Sequence, residues 1–113
     1  MFGRLMHNQP DPREIDQAGG GEAYDRQDSV FVDVREPEEW AEGHIPGALH
    51  IPLGELARRS DEVPAEGSVI TVCRGGVRSL EAVDILRAAG RDDVKSLAGG
   101  MFDWAKAGRE IER

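Results

Sequence analysis

The residues with the clearest chemical potential are Cys73, Arg78 and Ser79. Cys73 is the only cysteine among the 113 residues, and it directly follows the apolar and β-branched run Val69–Val72. Gly75 and Gly76 come next, and a helical pattern begins soon after them. A strand that turns into a helix N-terminus directs free backbone amides toward one place, which suits an anion. The pattern predicts an anion-binding loop centred on Cys73.

The same neighbours predict that Cys73 is a thiolate. A free cysteine has a pKa near ~8.5, and a helix N-terminus or an adjacent arginine lowers it. Arg74 and Arg78 supply positive charge, and the planar guanidinium of Arg78 fits an oxyanion. Gly75 and Gly76 allow positive φ angles, which wrap amides around an anion. The alternative, a buried structural cysteine, leaves two glycines and two arginines unexplained.

The loop from Cys73 to Ser79 resembles the active-site loop of the single-domain rhodaneses, which are thiosulfate sulfurtransferases. Three further blocks occur in the order found in that family: residues 32–40 (VDVREPEEW), residues 43–48 (GHIPGA) with Ile51-Pro52, and residues 97–104 (LAGGMFDW). The resemblance covers roughly residues 28–109. Four blocks in series are far more specific than one motif. Residues 1–27 match the family poorly.

The resemblance implies a rhodanese-like three-layer α/β fold, with a mainly parallel central sheet and helices on both faces. The alternation of strand and helix patterns predicts the same class. We assign residues 28–113 to this domain and residues 1–27 to an N-terminal lead-in, with a short edge strand at Ile15. Within that lead-in, Gly19–Gly21 predicts a flexible linker rather than a helix.

The resemblance also implies the reaction and its site. The Cys73 thiolate would attack the outer sulfur of thiosulfate or a related small anionic donor, hold it as a persulfide, and pass it to a thiol, to cyanide or to a protein acceptor. No cofactor and no metal are needed. The residues expected to bind substrate are Arg74, Gly75, Gly76, Val77, Arg78 and Ser79.

Asp33 and Arg35, at the end of a second apolar strand, are the expected supporting residues. They could line the catalytic cleft, because ligands bind at the carboxyl ends of parallel strands. They could instead form a scaffold pair, which we favour because they are far in sequence from Cys73 and nothing in the sequence requires a second base. His44 raises the same choice. It could serve Cys73 as a base, but we favour a structural role. The histidine and cysteine spacings do not suit zinc.

Two other classes of function remain open. The first is a persulfide carrier or a regulatory docking module for a protein partner. The second is an arsenate reductase or phosphatase, which also surrounds an anion with a cysteine and an arginine. Those loops are one residue longer between the two side chains. The shorter loop from Cys73 to Arg78 suits a single sulfur better than a tetrahedral oxyanion.

The amino-acid composition limits which binding partners and which cellular compartment we expect for the protein. Hydrophobic residues make up 39% and charged residues 32% of the chain, which is typical of a globular domain. The net charge of −8, without a basic stripe, argues against nucleic acid. No apolar run approaches the ~20 residues of a membrane span. A single reactive thiol suits a reducing compartment, so we expect a cytoplasmic protein that does not bind membranes.

Overall fold

One parallel sheet forms the centre of the computed structural model, which describes residues 11–113. Within those residues the sheet has five strands in the order β1-β5-β4-β2-β3, and every neighbouring pair is parallel. The strands are β1 (Glu14–Ile15), β2 (Ser29–Asp33), β3 (Leu49–His50), β4 (Ser68–Val72) and β5 (Val94–Leu97). The predicted α/β fold with a mainly parallel sheet is confirmed.

Five α-helices alternate with the strands along the described chain. They are α1 (Gln17–Arg26), α2 (Pro37–Glu42), α3 (Leu53–Leu56), α4 (Arg78–Ala88) and α5 (Gly100–Lys106), with a 3-10 turn at Ser60–Glu62. None of these helices is both long enough and apolar enough to cross a membrane.

The sheet has a hydrophobic core on each face. Val69 of β4 packs on one face in a cluster that includes Leu56 of α3 and Leu86 of α4. Its neighbour Ile70 points to the opposite face, into a cluster that includes Trp104 of α5. Because both faces are covered, the strand can be apolar at nearly every position. The two cores fix β4, whose carboxyl end carries Cys73.

Helix α1 shows that the prediction of a flexible linker at Gly19–Gly21 is wrong. The helix runs through all three glycines, and the Asp16 side chain caps it by accepting a 2.7 Å hydrogen bond from the first glycine's amide. A Cβ at Gly20 would lie 2.5 Å from Leu97 Cδ1, so the missing side chain lets the helix approach β5 closely. Glycine weakens a helix by about 1 kcal/mol per residue. The capping and close packing offset that cost.

The predicted edge strand at Ile15 is confirmed. Strand β1 pairs with β5, and Ile15 lies in register with Leu97. The first ten residues of the predicted lead-in lie outside the described residues.

Candidate active site

The sulfur of Cys73 lies at the carboxyl end of β4, inside the loop formed by residues 73–79, which we term the Cys73 loop. The residue is 1% exposed. The backbone amide of Gly76 donates a 3.1 Å hydrogen bond to Cys73 Sγ, and Ser79 Oγ lies 3.3 Å from it. The loop therefore surrounds one sulfur atom with several hydrogen-bond donors.

Opposing influences act on the pKa of the Cys73 thiol. Burial raises it, because the thiolate loses contact with water. The Ser79 hydroxyl and the backbone amides of Ser79, Gly76 and Gly75 lower it. These hydrogen bonds outweigh burial, so the pKa is lowered overall. None of these donors is an arginine, although the sequence pointed to Arg74 and Arg78 as the main positive charge.

Alkylation of Cys73 by iodoacetamide should therefore reach half of its maximal rate below about pH 8.5, the midpoint for a free cysteine. Only the thiolate reacts, so the rate rises with pH through the pKa, and a lowered pKa moves the curve to lower pH. The control is the same protein in denaturant, where Cys73 is again the only thiol but the loop is absent. A folded midpoint equal to or above the denatured one would contradict the loop geometry.

The two glycines of the loop, Gly75 and Gly76, differ in backbone conformation and in the space around them. Gly76 has φ +102° and is buried, and a Cβ there would lie 3.0 Å from the Gly99 backbone nitrogen. Gly75 has no positive φ and open space around it. The expectation of positive φ at both glycines is therefore wrong for Gly75. The loop turns at Gly76, whose amide is thereby directed at the sulfur.

Backbone amides at the N-terminus of α5 donate hydrogen bonds to the Cys73 loop. The Met101 amide donates to the Cys73 carbonyl at 2.8 Å, and the Phe102 amide donates to the Arg74 carbonyl at 2.9 Å. Gly100, at φ +54°, leaves room for these bonds, because a Cβ there would lie 2.4 Å from the Cys73 carbonyl oxygen. Gly100 thus lets the start of α5 pack against the Cys73 loop.

Arg78 is engaged by a residue that the sequence did not single out. Its two terminal nitrogens contact the two carboxylate oxygens of Glu39 on α2 at 2.7 and 2.8 Å. The hydrogen bond from Arg78 is the main reason that the pKa of Glu39 falls to about 2. The pair ties the first residue of α4 to α2. Glu39 belongs to an acidic first turn typical of any helix, so nothing in its sequence context marked it.

Arg74 has a different environment from Arg78. Its side chain is exposed and lines a cleft of about 640 Å³ beside the Cys73 loop. The cleft is lined on its other sides by Arg35, Glu42, Gly43, Met101, Phe102, Ala105, Ile111 and Arg113. Phe102 is 62% exposed, which is unusual for a large apolar side chain. An apolar wall and two exposed arginines, Arg74 and Arg113, therefore flank the loop.

Asp33 and Arg35 form a buried ion pair at the end of β2. Arg35 Nη2 lies 2.7 Å from Asp33 Oδ2, and the two residues are 5% and 1% exposed. The same Arg35 nitrogen donates a 2.8 Å hydrogen bond to the Gly43 carbonyl. The contacts tie β2 to the end of α2, as expected of a scaffold pair, and Arg35 also reaches the wall of the cleft.

His44 is held in a stack of rings rather than against Cys73. Its ring lies parallel to Trp40 with a centroid distance of 3.5 Å, and His50 stacks on Trp40 at 4.7 Å. His44 Nδ1 lies 2.9 Å from the Trp40 carbonyl, while Nε2 lies 3.8 Å from Glu112. These contacts fit the structural role favoured from the sequence. The spacing of Trp40, His44 and His50 gave no sign of this stack.

Known proteins resemble this chain in sequence. A family model described as the rhodanese-like domain matches residues 20–107. A sulfurtransferase of Allochromatium vinosum is 39% identical over 87 residues, which cover 77% of this chain and 81% of the relative. An HTH-type transcriptional regulator of Mycobacterium tuberculosis is 46% identical over 85 residues, covering 74% of this chain. The chain spans only 37% of the length of that regulator.

The fold is also similar to solved structures. A rhodanese-related protein from Thermoplasma volcanium superposes with a TM-score of 0.81 at 28% sequence identity. The match covers 88% of this chain and 97% of that one.

Proposed function

Because this chain belongs to the rhodanese-like domain family, we propose that it moves a sulfane sulfur from thiosulfate or a related anionic donor to a thiophilic acceptor through a persulfide on Cys73. The observation that carries this proposal is the convergence of donors on one sulfur. The Gly76 amide and the Ser79 hydroxyl lie 3.1 and 3.3 Å from Cys73 Sγ. The A. vinosum relative, a sulfurtransferase, supports the same class of reaction.

In the first step, the Cys73 thiolate attacks the outer sulfur of thiosulfate. A bond forms between the two sulfurs, the sulfur–sulfur bond of thiosulfate breaks, and sulfite leaves with the electron pair. The negative charge then resides on the terminal sulfur of the persulfide. Amides of the Cys73 loop, positioned by Gly76, stabilise that charge as they stabilise the thiolate.

In the second step, an acceptor removes the terminal sulfur. Cyanide or a thiolate attacks that sulfur, the bond to Cys73 Sγ breaks, and the Cys73 thiolate is restored. No outside oxidant or reductant is consumed. The cleft beside the loop gives a larger acceptor a place to bind, with Arg74 available to an anionic group and Phe102 to an apolar one.

We assign the loop arginines different parts in this reaction. Arg78 braces the loop, because both of its terminal nitrogens are committed to Glu39. Arg74, which is exposed on the cleft, attracts the sulfonate end of the donor. Asp33 and Arg35 hold the neighbouring strand end in place.

The direct test is the intact mass of the protein after incubation with thiosulfate. We expect a gain of one sulfur atom, lost again on addition of cyanide. The matched control is protein alkylated beforehand on Cys73, which should gain nothing. No gain in the untreated protein, or an equal gain in the alkylated protein, would contradict the proposal.

The M. tuberculosis regulator favours a second candidate, a persulfide-carrying module that serves a partner domain or protein, because this chain matches only part of it. Such a module would gain the sulfur in the mass experiment but turn over poorly with cyanide or small thiols. Multiple turnovers with a small acceptor would therefore favour the enzyme over the carrier.

A further inference from the structure

Two buried serines form a hydrogen-bonded chain behind the Cys73 sulfur. Ser96 Oγ lies 2.7 Å from Ser79 Oγ, which in turn lies 3.3 Å from Cys73 Sγ. Both serines are 0% exposed, so bulk water does not reach either hydroxyl. Ser79 was expected at the site from its place in the loop. Ser96 comes from β5, more than a dozen residues further along the chain, and no motif pointed to it.

The sheet holds the backbone of Ser96, which lies at the far end of the row of hydrogen-bonded hydroxyls. Its amide donates a 2.7 Å hydrogen bond to the Arg13 carbonyl, beside β1. On its other side it lies in register with Thr71 of β4. The backbone of Ser96 is therefore positioned by the sheet and not by the loop.

The hydrogen bonds that link Ser96, Ser79 and Cys73 use every hydroxyl proton in only one donor-to-acceptor direction. In the part of the protein from residue 11 onward, Ser79 is the only hydrogen-bond partner of Ser96 Oγ. The Ser96 proton must therefore go to Ser79 Oγ, which leaves the Ser79 proton for the Cys73 sulfur. If the sulfur instead donated its own proton to Ser79, whose oxygen can accept two hydrogen bonds, the proton of one of the two serines would remain buried without an acceptor, which is costly.

We propose that Ser96 is a positioning residue that directs the Ser79 hydroxyl proton at the Cys73 sulfur. Ser96 does not touch the sulfur and acts only through Ser79. The inference concerns the thiolate that the proposed function uses, and so rests on it for its significance. Ionisation of Cys73 can nevertheless be measured without any sulfur donor, so the two proposals fail separately.

Replacing Ser96 does not change the charged groups near the Cys73 thiol. Arg78 remains paired with Glu39, and Arg74 remains on the exposed side of the loop. The Asp33–Arg35 pair lies at the adjacent strand end. None of these side chains contacts Ser96, so its replacement leaves them in place.

The experiment measures the pH dependence of Cys73 alkylation in Ser96→Ala. The midpoint should rise by about half a unit, which is about a threefold lower rate well below the midpoint, because Ser79 loses the bond that orients it. The limiting rate at high pH should be unchanged. In Ser79→Ala the rise should be about one unit or more, since a hydrogen bond to a charged group is lost directly.

A double variant tests whether Ser96 acts through Ser79. Adding Ser96→Ala to Ser79→Ala should move the midpoint no further. The matched control is Thr71→Val, which removes a buried hydroxyl at the position in register with Ser96. Thr71 Oγ1 donates to the Ser79 carbonyl at 2.8 Å and takes no part in the hydroxyl chain. It should lower thermal stability without moving the alkylation midpoint.

Three results would overturn the inference: an unchanged midpoint in folded Ser96→Ala, an equal shift in Thr71→Val, or a further shift from Ser96→Ala when Ser79 is already alanine. The second would indicate general loosening of the sheet. Failure of the proposed function looks different, because the midpoints would behave as expected while thiosulfate added no sulfur to the protein.

Discussion

Replacing Cys73 with serine should abolish sulfur transfer. Serine can make similar hydrogen bonds with a slightly smaller side chain, but its hydroxyl is not ionised near neutral pH and is a poor nucleophile toward sulfur. The chain has no second cysteine that could take over. We expect the turnover of thiosulfate to fall by about 10⁴-fold or more, the scale seen when an enzyme loses its nucleophile. The measurement is thiocyanate formation from thiosulfate and cyanide.

The control for Cys73→Ser is the fold itself. Cys73 is buried in the core cluster that also contains Val69 and Leu86, and serine is smaller and more polar, so circular dichroism and thermal unfolding must show that the variant is folded. A folded Cys73→Ser protein that retained even a tenth of the parent rate would show that sulfur transfer does not pass through this thiol.

The loop that surrounds Cys73 could be predicted because its determinants are local. A strand, a cysteine, two glycines and a helix start follow one another within a few residues, so the course of the backbone is encoded locally, although α5 and Glu39 also brace the loop. The alternation of strand and helix patterns similarly led to the parallel sheet. The periodicity of apolar residues is the main signal of secondary structure in a sequence.

The parts that could not be predicted depend on contacts between distant segments. Glycines at positions 19–21 predict a linker from local propensity, yet Gly20 allows α1 to approach Leu97 of β5 closely. Glu39 contacts Arg78 only because α2 and α4 begin beside the carboxyl ends of two neighbouring strands, β2 and β4. Ser96 meets Ser79 only through the β4–β5 pairing. Local secondary-structure propensity does not encode contacts between distant segments, and tertiary packing can override it.

The second large effect is expected from Arg78→Lys. Lysine keeps the charge but cannot contact both carboxylate oxygens of Glu39 in the planar geometry of arginine. The loss of one charge-assisted hydrogen bond, worth about 1.5–3 kcal/mol, corresponds to a drop of about ten- to two-hundred-fold in kcat/KM for thiosulfate. The drop should fall on kcat, because a loosened loop no longer holds its amides on the sulfur.

Two companion variants separate bracing from direct binding of the donor. Glu39→Gln removes the charged partner and leaves Arg78 intact, so a bracing role predicts a loss of about tenfold in the same parameter, kcat. Arg74→Ala should instead raise KM with little change in kcat, because an exposed cation contributes to attracting the donor and not to the geometry of the thiolate.

The comparison of these variants decides what Arg78 does. If Arg78 held the sulfonate directly, Glu39→Gln would release its guanidinium and leave activity equal or higher, while Arg78→Lys would raise KM. If folded Arg78→Lys turned over thiosulfate like the parent and Arg74→Ala did not, the two arginines would have exchanged roles. The bidentate contact in the structure argues for the brace, because the negative charge of Glu39 already neutralises the guanidinium and disfavours a second anion beside it.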